Sequence, residues 1–435
     1  MDKPYYTHRF DNGISLIAER IPTVQTVSLG LFLHTGVIYE PPKLNGISHF
    51  IEHMLFKGTH KRSAKKIAQE FSNVGGVLNA FTAKDFCSYF GIVVKNKLKM
   101  AIDVLSDMYL NSLFAEHEIE KERKVILEEI KMYSDSPEEQ IHEFLGQSVW
   151  HGSKLAEPVL GNSDSVSAIT RDDIMRVYNE QYVGGNLLIA AAGNFDFEVL
   201  KSLIEEKFSA VPLGTLNRVK HRVRPKNDVN IYINNMEQVH VALGAEGVSY
   251  KNPKRYAMLY LSTVLGGGMS SRLFQEIREK RGMAYNVYSY HSSFADTGMF
   301  AIYAGTSVEN INSILSICRE EIEKIAVKGI SKSELKSTFD KFKGNLLIGL
   351  ESTNHRMNRL ASGFLYGIEP VTPEAMLKPY KKVTVEDIKS LAAEILKPDK
   401  FALTVVSPHK VTRSHLKGTM FDSSQINSHS IKSVN

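Results

Sequence analysis

Residues 46–56 read Gly-Ile-Ser-His-Phe-Ile-Glu-His-Met-Leu-Phe and contain the pattern His-x-x-Glu-His. The residues from 47 to 57 tolerate a helix, and neither Pro nor Gly interrupts them. In a helix, His49 and His53 share one face because they are four positions apart, and Glu52 lies beside them. Two imidazoles so placed can bind one metal ion. Ordinary packing of a half-buried helix is the other interpretation.

The chemistry that this pattern favours is metal-assisted hydrolysis. A catalytic zinc ion binds three protein ligands and keeps one position for water, whose pKa falls toward about 7. A carboxylate beside the ion, here Glu52, can accept the proton and later deliver it to a leaving amine. His-x-x-Glu-His is the inverted form of the zinc-peptidase motif. Asn45 and Ser48 are candidate N-caps for the helix, and Gly58 is a candidate stop.

The whole chain has the size and composition of two or three globular domains. It has 435 residues, 43% hydrophobic and 23% charged, with a net charge of +5. This charge gives no indication of nucleic-acid binding. Cys87 and Cys318 form no Cys-x-x-Cys motif. We find neither a leader nor an apolar run long enough to span a membrane, so we expect a cytoplasmic protein, with an organellar matrix form left open.

The two halves of the chain share a pattern. Ile-Thr-x-Asp-Asp-Ile at 169–174 corresponds to Val-Thr-x-Glu-Asp-Ile at 383–388, and the register continues into the apolar runs that follow. This predicts an internal duplication. We therefore expect an α+β fold of two homologous domains, each a mostly antiparallel sheet backed by helices. The predicted segments are a domain at 1–208, a linker at 209–227, a domain at 228–410 and a flexible tail at 411–435.

The second half is expected to keep the fold without the metal. When the two halves are aligned, the three motif residues fall on Tyr260, Thr263 and Val264. None of these side chains is a strong zinc ligand.

A third metal ligand could come from a later, strongly charged helix. Glu122 and Glu129 are seven positions apart and therefore share a helical face. Glu129 could complete the metal set, and Glu122 could hold a ligand histidine in its correct tautomer. On spacing alone, a charged surface helix with solvated side chains is the better interpretation, because Glu is abundant in this segment.

Four motifs carry a resemblance to a known family: Gly46-x-x-His49-x-x-Glu52-His53-x-x-Phe56-Lys57-Gly58-Thr59, Leu78-Asn79-Ala80-x-Thr82, Glu122-x-x-Val125-Ile126-x-x-Glu129, and Gly266-Gly267-Gly268-Met269-Ser270-Ser271-Arg272-Leu273. Over roughly residues 5 to 410, the sequence resembles the pitrilysin and insulinase family of zinc peptidases, specifically its two-domain processing-peptidase branch. The resemblance implies one zinc ion per chain, bound by His49, His53 and Glu129, with Glu52 as the base.

The resemblance also implies that an Arg and a Tyr from the second half lie over the active site as catalytic residues, and they correspond to Arg278 and Tyr285. A phenol can donate a hydrogen bond to an oxyanion, and a guanidinium can hold a peptide carbonyl or carboxylate. Arg281 is a rival for the Arg role, although the family spacing favours Arg278. The sequence alone favours a surface Arg and a half-buried core Tyr.

Substrate-binding residues are implied in the same way. An edge strand would accept an extended peptide through main-chain hydrogen bonds, with an ordinary internal strand as the alternative; its residues are Leu78, Asn79, Ala80, Phe81 and Thr82. Phe56 would line the pocket after the scissile bond, or simply pack in the core. Glu139 and Glu143 stand where mitochondrial processing enzymes carry acids that recognise Arg, yet a solvated helix face is favoured.

These patterns predict a zinc-dependent endopeptidase that cuts unstructured peptides or presequences. The resemblance implies that two chains pair as a clamshell, as a homodimer or as a heterodimer with a related subunit. The Gly-rich loop at 266–268 lacks a following Lys-Ser/Thr, so nucleotide binding is rejected. The alternative is a non-catalytic scaffold or peptide-binding subunit of a larger complex, against which the intact metal motif argues.

Overall fold

The structure is a computed structural model that describes residues 4–215, 222–234, 236–424 and 426–430. Its strands are β1 (Tyr5–Arg9), β2 (Ser15–Arg20), β3 (Thr26–Leu33), β4 (Val77–Thr82), β5 (Cys87–Val94), β6 (Leu187–Gly193), β7 (Val229–Ile233), β8 (Val239–Gly247), β9 (Ala284–Ser293), β10 (Gly298–Thr306), β11 (Ala402–Ser407) and β12 (Ile426–Ser430). Its α-helices are α1 (Ile47–Leu55), α2 (Ala64–Ser72), α3 (Leu98–Asn111), α4 (Glu116–Ser134), α5 (Pro137–Val149), α6 (Ser163–Ala168), α7 (Arg171–Gln181), α8 (Phe197–Phe208), α9 (Arg255–Gly266), α10 (Ile311–Lys328), α11 (Lys332–Gly349), α12 (Thr353–Leu365), α13 (Pro373–Lys382) and α14 (Val385–Ile395).

Contacts divide the chain into two compact units, each built from three segments. The first comprises Met1–Ile130, Glu157–Val219 and Leu346–Val371, and the second comprises Lys131–Ala156, Lys220–Asn345 and Thr372–Asn435. The units therefore differ from two continuous halves, because α5 belongs to the second unit and α12 to the first. The boundaries at residues 208 and 228 stay a prediction, and part of the predicted linker, 216–221, lies outside the described residues.

The first unit is organised around a six-stranded sheet in the order β1-β2-β6-β3-β5-β4. Four of its strand pairs are antiparallel, and only the β2–β6 pair is parallel. Its central strand β6 is buried along its whole length, which explains its uninterrupted apolar sequence. On one face of the sheet, α12 packs Met357 and Leu360 against Ile17 and Phe32.

A buried ion-pair cluster also connects α12 to this sheet. The Glu19 carboxylate on β2 is 3% exposed and lies 2.5 Å from Nη1 of Arg356 and 3.1 Å from Nη2 of Arg359. A buried carboxylate is costly unless it is paired. The two guanidinium groups therefore keep α12 in register with the strand beneath it.

The second unit repeats this arrangement with the order β12-β7-β11-β8-β10-β9. The strands β7, β11, β8, β10 and β9 occupy the places that β2, β6, β3, β5 and β4 occupy in the first sheet. The helices α7 and α14 both begin with a capping box, formed by Thr170 with Asp173 and by Thr384 with Asp387. The predicted duplication and the α+β class with mostly antiparallel sheets are confirmed.

In the described parts of the segment after residue 410, which is expected to be a flexible tail, apolar side chains pack on the second unit and a strand joins its sheet. Leu416 and Phe421 are each 1% exposed and belong to its core cluster. The strand β12 pairs in parallel with β7 and forms one edge of the sheet. The polar composition of the segment suggests mobility, but its few apolar residues are the ones that pack in the core. Residues 425 and 431–435 lie outside the described residues.

Among the described residues, none of the helices combines the length and the apolar character that crossing a bilayer requires.

Candidate metal centre

The helix α1 begins where the sequence indicates, but its start is stabilised by a distant residue. Its N-cap is Gly46, with φ of 93° and no capping side chain of its own. The carboxylate of Glu40 instead accepts hydrogen bonds of 3.0 Å from the N–H groups of Gly46 and Ser48 and from Nδ2 of Asn45. An anion at a helix N-terminus satisfies its free N–H groups. The expectation that Asn45 or Ser48 caps the helix with its own side chain is wrong.

Gly46 is required by space as well as by conformation. A Cβ atom at this position would lie 2.7 Å from the carbonyl oxygen of Leu160, and a positive φ is unfavourable for other residues. The helix then ends at Leu55, one turn before the expected stop at Gly58.

Replacing Glu40 by Gln is expected to destabilise the chain by about 1–3 kcal/mol, because the amide loses an acceptor and places a donor against backbone N–H groups. Glu40 is 1% exposed, so no solvent can compensate. Urea denaturation of the metal-free protein measures the change. Glu351→Gln, at an exposed position, is the matched control. Equal stability of the two variants would contradict the capping role of Glu40.

The structure brings the three expected metal ligands together. Oε2 of Glu129, on α4, lies 3.7 Å from Nε2 of His49 and 3.6 Å from Nε2 of His53. The candidate ligand atoms of these residues all lie within 4.8 Å of one another. Two atoms that bond one zinc ion at about 2.0–2.2 Å cannot be more than about 4.4 Å apart. The His–Glu distances meet this limit, and two imidazoles with one carboxylate form a donor set typical of catalytic zinc.

A carboxylate fixes the tautomer of His53. Nδ1 of His53 lies 3.0 Å from Oε2 of Glu122, while Oε1 of Glu122 lies 2.6 Å from Nζ of Lys57. Since a carboxylate only accepts hydrogen bonds, Nδ1 of His53 carries the proton and its Nε2 is left for a metal. The contact predicted for Glu122 with a ligand histidine is therefore present, and Lys57 balances the charge of Glu122.

For His49, burial rather than a carboxylate partner keeps the ring available to bind a metal. It is 7% exposed, and burial, reinforced by repulsion from His53, lowers the pKa of His49 to about 3. The ring is therefore neutral at physiological pH and retains a lone pair for a metal. Within the described residues, its buried Nδ1 has no hydrogen-bond partner.

Glu52 lies close to this set without belonging to it. Burial raises the pKa of Glu52, as does the charge of Glu129, whereas the Thr82 hydrogen bond and His53 lower it. Oγ1 of Thr82 donates to Oε2 of Glu52 over 2.5 Å. A partly buried carboxylate with a raised pKa beside a metal site is suited to accepting and returning a proton.

The strand β4 lies at the edge of the first sheet, as expected. Leu78 and Ala80 pack against the core cluster, while Asn79 is exposed and Phe81 is half-buried. Phe56 is half-buried between two apolar clusters, so it has a packing role. The substrate-binding roles of these residues stay predictions.

Arg278 and Tyr285 lie in the second unit and contact each other. The Arg278 guanidinium stacks over the rings of Phe274, at 4.8 Å, and Tyr285, at 5.1 Å. Tyr285 is 78% exposed, so the interpretation as a half-buried core residue is wrong. Arg281 is paired with Glu276 at 2.6 Å, which favours Arg278 as the residue that can hold a substrate group.

Glu139 and Glu143 lie on α5, also in the second unit. Glu139 is exposed and Glu143 half-buried. Burial, together with the charges of Glu143 and Glu139, raises the pKa of Tyr133, so both carboxylates act on one nearby phenol. Their role in substrate recognition stays a prediction.

The sequence does not indicate three contacts that support the site. They are the capping of α1 by Glu40, the pairing of Lys57 with Glu122, and the hydrogen bond from Thr82 to Glu52. Glu40 and Thr82 reach α1 through loop and strand geometry, for which the sequence carries no periodic signal. Lys57 lies within the quoted motif, and its position next to the motif helix is the only signal that could have indicated it.

Two family profiles match the sequence of this chain. The sequence profile of the insulinase family, described as peptidase family M16, matches residues 15–163. A second profile, the peptidase M16 inactive domain, matches residues 168–341. The first profile therefore includes all three candidate metal ligands, and the second includes none of them.

Full-length relatives and solved structures extend the match. The chain is 39% identical to an uncharacterized zinc protease of Streptomyces coelicolor, over 92% of this chain and 88% of the relative. It is 35% identical to an uncharacterized zinc protease of Bacillus subtilis, over 91% of this chain and 97% of the relative. A protease structure from Helicobacter pylori has a TM-score of 0.85 at 20% identity, covering 93% of this chain and 99% of that chain, and supports the fold.

Among the described residues, the duplicated fold presents a candidate His-His-Glu metal site, and relatives of this chain are named zinc proteases. This chain belongs to the insulinase family, peptidase family M16. The family resemblance of the sequence is therefore confirmed.

Proposed function

We propose that this chain is a zinc-dependent endopeptidase that hydrolyses peptide bonds in unstructured peptides or presequences. The observation that carries the proposal is the convergence of the two Nε2 atoms of His49 and His53 on the Glu129 carboxylate, with Glu52 beside them. Its relatives that are named zinc proteases support zinc as the metal.

His49, His53 and Glu129 would hold the zinc ion, one per chain. When bound, zinc supplies a Lewis acid that lowers the pKa of water and polarises a carbonyl. Glu52 accepts the proton of the attacking water and transfers it to the leaving amine. Glu122 keeps the His53 ring oriented, because its carboxylate accepts a hydrogen bond from the protonated Nδ1 of His53.

The substrate would be extended. The edge strand β4 offers main-chain groups that can pair with a peptide backbone, which gives affinity with little demand on sequence. Folded substrates present few free backbone groups and are expected to resist cleavage. Phe56 would contact the side chain after the scissile bond, and Glu139 and Glu143 would attract basic residues.

Arg278 and Tyr285 complete the proposal as substrate-binding groups. Stacking pre-organises the Arg278 guanidinium for a carbonyl or carboxylate, and the exposed Tyr285 phenol can donate to an oxyanion. We include in the proposal that two chains pair, as a homodimer or with a related subunit, so that these groups can serve a metal centre.

The competing function is a scaffold or a peptide-binding subunit without activity. The inactive-domain profile matches residues 168–341, a region in which the aligned positions of the motif are Tyr260, Thr263 and Val264. The first half retains the complete His-His-Glu set together with Glu52. A non-catalytic role does not require this set, so we favour the peptidase.

The test is cleavage of unstructured quenched fluorescent peptides by the purified zinc-loaded chain, with products identified by mass spectrometry. A stably folded protein that contains the same peptide sequence serves as the control substrate. We expect internal cuts in the free peptide and none in the folded protein. Peptide binding without any cleavage would favour the scaffold and overturn the peptidase proposal.

A further inference from the structure

A chain of three side chains extends from Glu52 into the core of the first unit. Oγ1 of Thr82 lies 2.5 Å from Oε2 of Glu52 and 3.4 Å from Sγ of Cys87. Thr82 and Cys87 are direct partners across the antiparallel strands β4 and β5, so their side chains lie on the same face of the sheet. The pairing of β4 with β5 and the position of α1 therefore bring these three side chains together.

The direction of the two hydrogen bonds follows from the groups involved. The Thr82 hydroxyl has a single proton, and an ionised Glu52 can only accept. Thr82 therefore donates to Glu52, and its oxygen is left to accept from the Cys87 thiol. Cys87 is 0% exposed, and its burial raises the pKa of the thiol, so the S–H proton remains in place. The thiol fixes which way the hydroxyl points.

Within the part of the chain that the structure describes, Thr82 provides the one hydrogen bond to the Glu52 carboxylate. A glutamate side chain has several rotatable bonds and several rotamers of similar energy. The Thr82 side chain, in contrast, is stiff at χ1 because it is β-branched, and strand pairing fixes its backbone. A hydrogen bond from Thr82 thus restricts the Glu52 side chain to one orientation relative to the sheet.

The same strand also presents its free backbone edge, where the substrate is proposed to bind. Along β4 the side chains alternate, and the face that contains Leu78, Ala80 and Thr82 is the one that packs toward the core. A peptide paired to the β4 edge would therefore be held in register with the carboxylate that acts on it. The position of the substrate and that of the base would then depend on one element.

We infer that Thr82, supported by Cys87, is a positioning residue that holds the Glu52 carboxylate in the orientation needed for proton transfer. This inference rests on the proposed endopeptidase function. It assigns to Thr82 a role through its side chain that differs from the backbone role expected for an edge strand.

The kinetic test compares Thr82→Val with Thr82→Ser. Valine keeps the shape and removes the hydroxyl, so we expect kcat to fall by about 10-fold to 100-fold while KM changes less than about twofold. Serine keeps the hydroxyl and should restore most of kcat. Thr7→Val, in the opposite edge strand β1, is the control and should behave as wild type. Zinc content and thermal stability are measured for every variant.

A second readout needs neither metal nor activity. The chain has two cysteines, both buried, so the infrared S–H stretching bands of Cys87 and Cys318 can be separated by isotope labelling or by Cys318→Ala. The Cys87 band should move toward that of a thiol without an acceptor in Thr82→Val. The band should also shift in Glu52→Ala. This variant tests the same series of hydrogen bonds if the valine variant fails to fold. The Cys318 band should remain unchanged in both.

The outcomes separate the two proposals. Cleavage by wild type with an unchanged kcat in Thr82→Val would overturn the positioning role and leave the peptidase function intact. Absence of cleavage by wild type would overturn the function, and an unshifted Cys87 band would overturn the hydrogen-bonded chain. A fall in kcat that serine does not restore would also contradict the role of the hydroxyl.

Discussion

Replacing Glu52 by Gln is expected to reduce the rate of peptide hydrolysis by about 10³-fold while zinc remains bound. General acid–base catalysis by one group contributes about 10²–10⁴-fold, and glutamine cannot accept or return a proton at neutral pH. The substitution keeps the size of the side chain and an oxygen that can accept from Thr82. The fold and the metal ligands should therefore be preserved.

The measurement is kcat together with zinc content for Glu52→Gln and for a matched control. Glu128→Gln is suitable as the control because Glu128 is an exposed carboxylate on α4, next to a metal ligand. The control should keep wild-type activity and one zinc ion. Activity of Glu52→Gln within about tenfold of wild type would exclude Glu52 as the general base.

Replacing Glu129 by Ala is expected to weaken zinc binding by more than about 100-fold, because only the two histidines remain as ligands. The side chain of Glu129 is 44% exposed, so its removal should leave the packing of α4 unchanged. The variant should therefore fold like wild type and lack hydrolytic activity at a zinc concentration that saturates wild type.

Thermal unfolding with and without zinc measures this effect. A ligand present at about 100 times its Kd stabilises the native state by about 2.7 kcal/mol, so zinc should raise the Tm of wild type. It should raise the Tm of Glu128→Ala equally and leave that of Glu129→Ala nearly unchanged. A full zinc-dependent shift in Glu129→Ala would show that the metal is held by other groups.

The sequence predicts the helix with His49 and His53 well, because their spacing is a local property of an α-helix. It does not predict Glu129 from spacing, since this residue is brought close by packing of α4 and many other glutamates have equivalent spacing. The family resemblance selects Glu129 among them. In the structure, Oε2 of Glu129 lies 3.7 Å from Nε2 of His49 and 3.6 Å from Nε2 of His53.

The fold shows the same division between local and long-range information. The repeat of the capping sequence at Thr170 and Thr384 indicates the duplication, because each copy forms its own local structure. The exchange of α5 and α12 between the compact units is not predictable in this way. An amphipathic pattern shows that a helix is half-buried but not which sheet covers it.

Contacts that support the site are the least predictable part. The Glu40 carboxylate reaches the start of α1 across a loop, and Thr82 reaches Glu52 from the edge strand β4. Both residue types are common in ordinary loops and strands, so their identity carries no signal. Their importance follows only from their distances to α1.

The most direct measurement is a zinc titration of the metal-free chain, followed by peptide hydrolysis at each step. The proposed site predicts that activity is absent without metal and rises linearly until one zinc ion is bound per chain. It also predicts that a chelator reverses the effect. Peptide hydrolysis that persists in the metal-free chain, or one tightly bound zinc ion with no hydrolysis of any unstructured peptide, would contradict the assignment of this centre as a zinc endopeptidase site.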